Sequence, residues 1–360
     1  MRRYHPFVQP SRYHRQEMLP GVGPEGQAAL RAAHAAIVGI GALGCAVADH
    51  LARAGVGRLT LIDRDLVERT NLQRQMLFDE RDAAEAAPKA EAARRRLSAI
   101  NSSVEVVAQI ADLTSRNAER LILSDGPPGV IIDGTDNFET RYLLNDFSVK
   151  HGIPYVYGGV VATRGMQMTI RPGATACLRC VFEQPPPPGS QPTCDTAGVL
   201  GPAVAIVGAC EASDALRILL GHGHAIPPTL LEFDLWSGRR RRIDLSRARR
   251  DDCPCCGKRD FEFLARGSGS AGAALCGQRA VQVQPPEPAG RLDLDAVARR
   301  LEPHGPVRSH PHMLRCSLTS EEAEGGGQLE LTIFRDGRAI VRGTTLPDRA
   351  RSVYAKYIGV

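Results

Sequence analysis

Gly39, Gly41 and Gly44 stand in Ile-Val-Gly-Ile-Gly-Ala-Leu-Gly (37–44). This Gly-x-Gly-x-x-Gly spacing lets the backbone meet phosphate where a strand turns into a helix. Asp63 closes Leu-Thr-Leu-Ile-Asp, 19 positions past the last glycine, where a carboxylate takes a ribose hydroxyl. A tight strand-to-helix turn without a ligand would use the same glycines, and ATP and NAD both present phosphates and a ribose. Two cations separate the nucleotides. Arg74 lies in Asn71-Leu-Gln-Arg-Gln75, shortly past Asp63, and Lys89 follows Pro88 at an expected helix start, where backbone donors already favour anions. Taken singly, each reads as a solvated surface charge. Converging on phosphates, they suit adenylyl transfer, in which charge moves onto departing pyrophosphate. Gly134-Thr-Asp-Asn137 ends an expected fourth strand. Asp136 at that end faces the ligand crevice as a carboxylate for magnesium, or else caps the following helix.

The cysteines carry a second chemistry. Cys177-Leu-Arg-Cys180 and Cys253-Pro-Cys-Cys256 are two knuckles set far apart in the chain, a donor set suited to a tetrahedral four-sulfur zinc site. The gap is longer than in a compact zinc ribbon, so a metal there would pin two distant segments together. Cys255 leaves the second knuckle ambiguous; two intervening residues favour Cys253 with Cys256, and reduced thiols without metal are the alternative. Cys194 follows the proline-rich run Gln184–Pro192 and precedes an expected helix near Pro202. A thiol so placed can have a lowered pKa and be carried to an activated carboxylate, or it can simply pack where the loop rejoins the fold. Cys45 and Cys210 read as core residues. The arginine runs 239–242 and 247–250 could guide an acidic protein or RNA. A solvated strand edge is the simpler reading, and without interleaved aromatics RNA recedes further.

These groups need elements to position them. Short β-rich runs at 35–38, 59–62, 104–107, 130–132 and 155–157 alternate with helical stretches at 44–54, 88–99, 115–123 and 139–150. Such crossovers force parallel pairing, so an α/β fold with a doubly wound sheet is expected. Runs at 165–171, 230–235 and 239–245 extend it with antiparallel strands. At 360 residues the chain exceeds one ordinary core. The division expected is residues 1–264 as a nucleotide-binding domain with a mobile loop at 183–200, a Gly/Ser-rich linker at 265–274, and a small α+β domain at 275–360. The net charge of +5, from 45 basic and 40 acidic residues, is weak evidence for nucleic acid. No apolar run reaches the ~18 residues of a membrane span and the N-terminus lacks a signal-like apolar core. With six of the ten cysteines in knuckles or one loop, a reducing cytoplasm is expected.

Arg12-Tyr-His-Arg-Gln16, the glycine run, Asp63, Asn71 to Gln75, Pro88-Lys89 and Thr135-Asp-Asn137 together resemble the ThiF/MoeB family, bacterial relatives of ubiquitin-activating enzymes. The resemblance covers about residues 11–263. It implies a homodimer that binds ATP and magnesium and adenylates the C-terminal carboxylate of a ubiquitin-fold sulfur carrier ending in Gly-Gly. It further implies that Arg15 reaches the partner subunit's triphosphate, that Asn71, Arg74 and Lys89 hold phosphates, and that Asp136 is linked to magnesium. Cys194 matches a segment that in some members forms a covalent link to carrier or sulfur donor. The acyl adenylate would go on to a thiocarboxylate for thiamine, molybdopterin or related sulfur transfer. No rhodanese-like loop is apparent, so an external donor, a cysteine desulfurase or rhodanese, is expected. A tRNA-modifying dehydratase of the same superfamily, an NAD-dependent oxidoreductase and a non-catalytic binding module are the alternatives. The knuckles and the Cys194 segment argue against the first, and Arg74 and Lys89 against the second.

Overall fold

The computed structural model describes residues 11–187, 197–265, 272–274, 279–283 and 292–359. It divides into two units, Met1–Gly267 and Ser268–Val360. Strands β1 (His34–Val38), β2 (Arg58–Asp63), β3 (Glu105–Ile110), β4 (Val130–Asp133), β5 (Tyr155–Val161), β6 (Arg164–Ile170), β7 (Thr229–Asp234) and β8 (Arg239–Asp244) form the sheet of the first unit. Their order is 3-2-1-4-5-6-7-8. Pairing is parallel from β3 through β5 and antiparallel from there to β8, as the β-rich runs and the crossovers between them led one to expect.

The central parallel strands bury both faces. Ala35 and Ile37 of β1 join one apolar cluster with Leu59, Leu61, Leu51 and Leu97, while Ala36 and Val38 join another with Ile131, Phe147 and Tyr155. Alternation by one residue puts successive side chains on opposite faces, so helices have to cover both. They are α1 (His14–Glu17), α2 (Gly23–Ala32), α3 (Ala42–Ala54), α4 (Glu80–Glu85), α5 (Lys89–Ile100), α6 (Ala118–Ile122), α7 (Phe138–His151), α8 (Leu178–Val181), α9 (Gly201–Leu219) and α10 (Glu262–Ala265). The chain leaves β1 toward β2 and β3 on one side and reaches β4 and β5 on the other. Between the carboxyl ends of β1 and β4 this reversal opens a crevice, the usual ligand position in such sheets. The edge strand β8 is exposed along its whole length, which agrees with its arginines being a solvated strand edge.

The second unit is a six-stranded antiparallel sheet with helices α11 (Leu294–Leu301) and α12 (Pro347–Tyr357). Its strands are β9 (Gly272–Ala274), β10 (Ala280–Val283), β11 (Val307–His310), β12 (Met313–Glu322), β13 (Gln328–Phe334) and β14 (Ala339–Arg342). Leu314, Leu331, Val341, Leu301 and Val353 belong to one core. The Gly/Ser-rich stretch expected as linker contains β9, which pairs with β10. Among the described residues no helix is long and apolar enough to cross a membrane.

Candidate nucleotide crevice and cysteine site

Three glycines interlock at the mouth of the crevice. Gly39 has φ +83° and donates to Ile62 O at 2.8 Å, and its own carbonyl lies between Gly44 and Gly134. A methyl group on Gly44 would come within 1.9 Å of Gly39 O, and one on Gly134 within 2.1 Å. Gly41 caps α3, whose first turn leaves backbone donors directed outward. Gly134 is thus as necessary to this loop as Gly39 and Gly44, although the fingerprint does not contain it.

Asp63 binds the loops to one another. Its Oδ2 accepts from Ile40 N at 2.6 Å and its Oδ1 from Asp65 N at 2.6 Å. Burial pushes this carboxyl up to about 6 against the pull of Lys89 and the two backbone donors. Lys89 opens α5 as foreseen and is buried. Its Nζ donates to Asp65 Oδ2 at 3.0 Å. Burial alone would discharge the ammonium, but Asp65, Asp63 and Asp136 outweigh it and hold it protonated. Asp65 escaped the sequence reading because a second aspartate two positions past the ribose acid has no distinguishing pattern.

Asn71 is buried in a 3-10 turn and accepts from Glu68 N at 2.9 Å. Arg74 is half-buried and its Nη1 donates to Thr70 O at 2.9 Å; among the described residues no carboxylate pairs with it. Gln75 is buried and faces the glycine loop: a methyl on Gly41 would lie 3.9 Å from its Nε2. Its Oε1 has no partner among the described residues. Asp136 is exposed, and its charge reaches Arg64, Lys89 and Arg141. The cap of α7 is Asn137, which accepts from Thr140 N at 2.8 Å. The helix-capping alternative for Asp136 is thereby overturned, since the neighbouring amide fills that role and leaves the carboxylate to the crevice.

Arg141 was not foreseen. Its Nη2 donates to Thr135 O at 2.8 Å, and Asp133 Oδ2 lies 3.8 Å from its Nε. Asp133 also accepts from Thr135 and from Tyr155 Oη. The guanidinium sits 5.4 Å from the Phe138 and Tyr157 ring centroids. Those rings line a groove of about 1060 Å³ with Tyr142, Met166 and Phe182, so Arg141 stands between this mostly apolar groove and the Thr135–Asp136 loop. Beneath it, Glu211 of α9 is fully buried against β5, where a methyl on Gly158 would be 2.4 Å from its Oε1. Burial, then the charge of Asp133, lifts this carboxyl well above its ordinary range.

Arg15 is exposed on α1 and makes no hydrogen bond or ion pair to the crevice residues among those described. The flanking residues anchor its helix: Arg12 donates to Ile100 O at 2.8 Å and Gln16 to Ala54 O at 2.9 Å. Cys194 lies outside the described residues, as does part of the proline-rich run.

The four knuckle cysteines converge. Their Sγ atoms all lie within 4.8 Å of one another, with Cys177–Cys253 at 3.6 Å, Cys180–Cys256 at 3.4 Å and Cys177–Cys180 at 3.9 Å. Sulfurs ~2.3 Å from a tetrahedral zinc stand about 3.8 Å apart, whereas a disulfide needs about 2.0 Å. The donor set therefore fits a metal, and Cys255 is not part of it: its Sγ accepts from Asn145 Nδ2 at 3.2 Å.

Residues 13–255 match the ThiF family. The chain is 42% identical over 349 residues to the sulfur carrier protein ThiS adenylyltransferase of Bacillus subtilis, covering 97% of this chain and 99% of the relative. It is also 42% identical over 251 residues to the sulfur carrier protein adenylyltransferase of Thermus thermophilus, covering 68% and 90%. The crystal structure of E. coli MccB with AMPCPP and MccA shares the fold, with a TM-score of 0.58 at 23% identity over 69% of this chain and 74% of that one. With the crevice, the knuckles and the relatives in agreement, the chain belongs to the ThiF family.

Proposed function

We propose that this protein uses ATP to adenylate the C-terminal glycine carboxylate of a ubiquitin-like sulfur carrier protein of the ThiS or MoaD type, releasing pyrophosphate. The observation that carries the reading is the position of Arg141, which lines a mostly apolar groove and donates to Thr135 O at the end of β4, beside the glycine loop and the buried, charged Lys89. The relatives' names state the same activity for those proteins.

In this reading Gly39, Gly41 and Gly44 admit the phosphates. Asp63 takes the ribose with the lone pairs its two backbone donors leave over. The carrier's carboxylate oxygen attacks the α-phosphorus, the bond to the β-phosphate bridge breaks, and pyrophosphate leaves. Asn71, Arg74 and Lys89 stabilise the charge that gathers on it, with Arg15 supplied by the second copy of a homodimer. An ionised carboxylate needs no general base. Asp136 would hold the magnesium that accompanies the triphosphate, an ion that supplies charge neutralisation. Cys177, Cys180, Cys253 and Cys256 would hold zinc, which pins two distant segments together.

An external donor, a cysteine desulfurase or rhodanese, would leave a persulfide on Cys194, whose outer sulfur attacks the acyl carbon and expels AMP. A second thiol then reduces the resulting acyl disulfide, freeing the thiocarboxylate and ending as a disulfide with Cys194. The thiocarboxylate serves thiamine, molybdopterin or related sulfur transfer in the cytoplasm. Residues 1–264 form the adenylyltransferase domain, and the carboxyl-terminal domain, expected at 275–360, also takes in β9. Exchange of labelled pyrophosphate into ATP, run with purified Gly-Gly carriers, is the test. Carrier-dependent exchange is expected, and its absence with every ThiS- and MoaD-type carrier would sink the proposal. A Cys194→Ala variant that still forms every covalent carrier adduct removes that residue's part.

A further inference from the structure

The two knuckles are far apart in the chain, yet one side chain holds both. Asn145 of α7 is fully buried. Its Oδ1 accepts from Leu178 N at 2.8 Å, inside the Cys177–Cys180 knuckle. Its Nδ2 donates to Cys255 Sγ at 3.2 Å, inside the Cys253–Cys256 knuckle. The orientation is fixed by chemistry: Leu178 N can only donate, so the amide oxygen has to face it and the amide nitrogen faces the thiol. The next residue, Asp146, accepts from Phe263 N at 2.9 Å just past the second knuckle. Tyr142 Oη, one turn earlier, donates to Phe182 O at 2.9 Å just past the first.

We infer that Asn145 is a positioning residue for the metal site, its amide setting the two cysteine pairs in register, and that Cys255 is the anchor it grips on the second pair rather than a ligand. The amide both donates and accepts at this place. An ionised aspartate keeps the bond from Leu178 N alone, and leucine keeps neither. Both bonds are buried, where water does not compete for them. Groups that orient metal ligands in this way typically alter affinity about 10–100-fold when removed.

The inference rests on the proposal that the four cysteines hold zinc, so metal content of the full-length wild-type protein is measured first. One zinc per chain is expected; a protein that takes up none after reconstitution overturns the metal reading and this inference with it. Zinc transfer to a chromogenic chelator is then followed for wild type, Asn145→Leu, Asn145→Asp and Cys255→Ala. Asn145→Leu is expected to weaken zinc retention about 10–100-fold, with Asn145→Asp between it and wild type. Cys255→Ala retains one zinc per chain but releases it faster. The melting temperature should fall more for loaded than for stripped protein, a difference that a general packing defect would not produce. Folded Asn145→Leu and Cys255→Ala proteins that release zinc at the wild-type rate refute the role. If Asn145→Leu does not fold, Cys255→Ala decides: an unchanged release rate, or complete loss of zinc marking Cys255 as a ligand, overturns the assignment.

Discussion

Gly134→Ala should damage the nucleotide site as severely as substitution of Gly39 or Gly44, and more than Gly41→Ala. The alanine methyl would lie 2.1 Å from Gly39 O, where ordinary contact begins near 3.4 Å. The Gly39 carbonyl therefore has to retreat by far more than the few tenths of an ångström that a tight neighbour can give. It cannot retreat freely, because Gly44 packs against the same atom and Gly39 is held by Ile62 O. Overpacking of this kind costs about 1–3 kcal/mol. At about 2–4 °C per kcal/mol for a unit of this size, melting falls by several degrees. A displacement of about 1 Å in a positioning loop costs about 100-fold in rate. At Gly41 the nearest atom, Gly134 O, is 3.8 Å from an added methyl and φ is −83°. The free protein then loses only a glycine cap, about 0.5 kcal/mol. On the proposed reading its penalty appears on binding, because Gly41 belongs to the loop assigned to phosphate. Melting with and without ATP, together with pyrophosphate exchange, separates the two. Gly134→Ala lowers both the free melting temperature and the exchange rate, while Gly41→Ala chiefly reduces the shift produced by ATP. A Gly134→Ala protein that melts like wild type and keeps the full ATP shift would refute the interlock.

Neighbouring residues at the end of β4 should behave oppositely. Asn137→Ala removes the α7 cap and lowers stability by about 1 kcal/mol, whereas Asp136→Asn leaves denaturant midpoints unchanged and slows exchange; the reverse pattern would return the capping role to Asp136. Glu211 gives a pH signature. Its pKa is raised in the folded state by burial and by Asp133, so its stabilising contribution is complete below the ordinary carboxylate range and is lost as pH rises through the raised value. Glu211→Gln stays neutral throughout, so wild type should lose stability relative to the variant as pH rises above that range. A wild-type-minus-variant difference that is flat with pH would rule this out.

The first unit's sheet was legible because both faces of its central strands are apolar and the intervening runs have the length of crossover helices. Lys89 at a helix start and the strand extensions beyond β5 followed from the same local periodicity. Two short strands were not legible: β11 (Val307–His310), Val-Arg-Ser-His, has a single apolar residue, and β9 falls in a Gly/Ser-rich stretch that reads as linker.

By itself the sequence determined the order of elements, the presence of a tight glycine turn between β1 and α3, and the existence of a four-sulfur donor set. Each of these is encoded in short local patterns, the sulfur set as two separate Cys-x-x-Cys pairs, where backbone freedom, hydrophobic period and turn length act directly. The spacing favoured Cys256 over Cys255 for the four-sulfur cluster, and tertiary structure agreed, gathering Cys256 with the other three sulfurs and turning Cys255 to Asn145. Tertiary structure alone decided that Gly134 belongs with Gly39 and Gly44, that Asp65 partners Lys89, and that Arg141 joins the groove to the crevice. Parallel crossovers bring residues from different strand ends into one place, and no local pattern records which side chain will be met there.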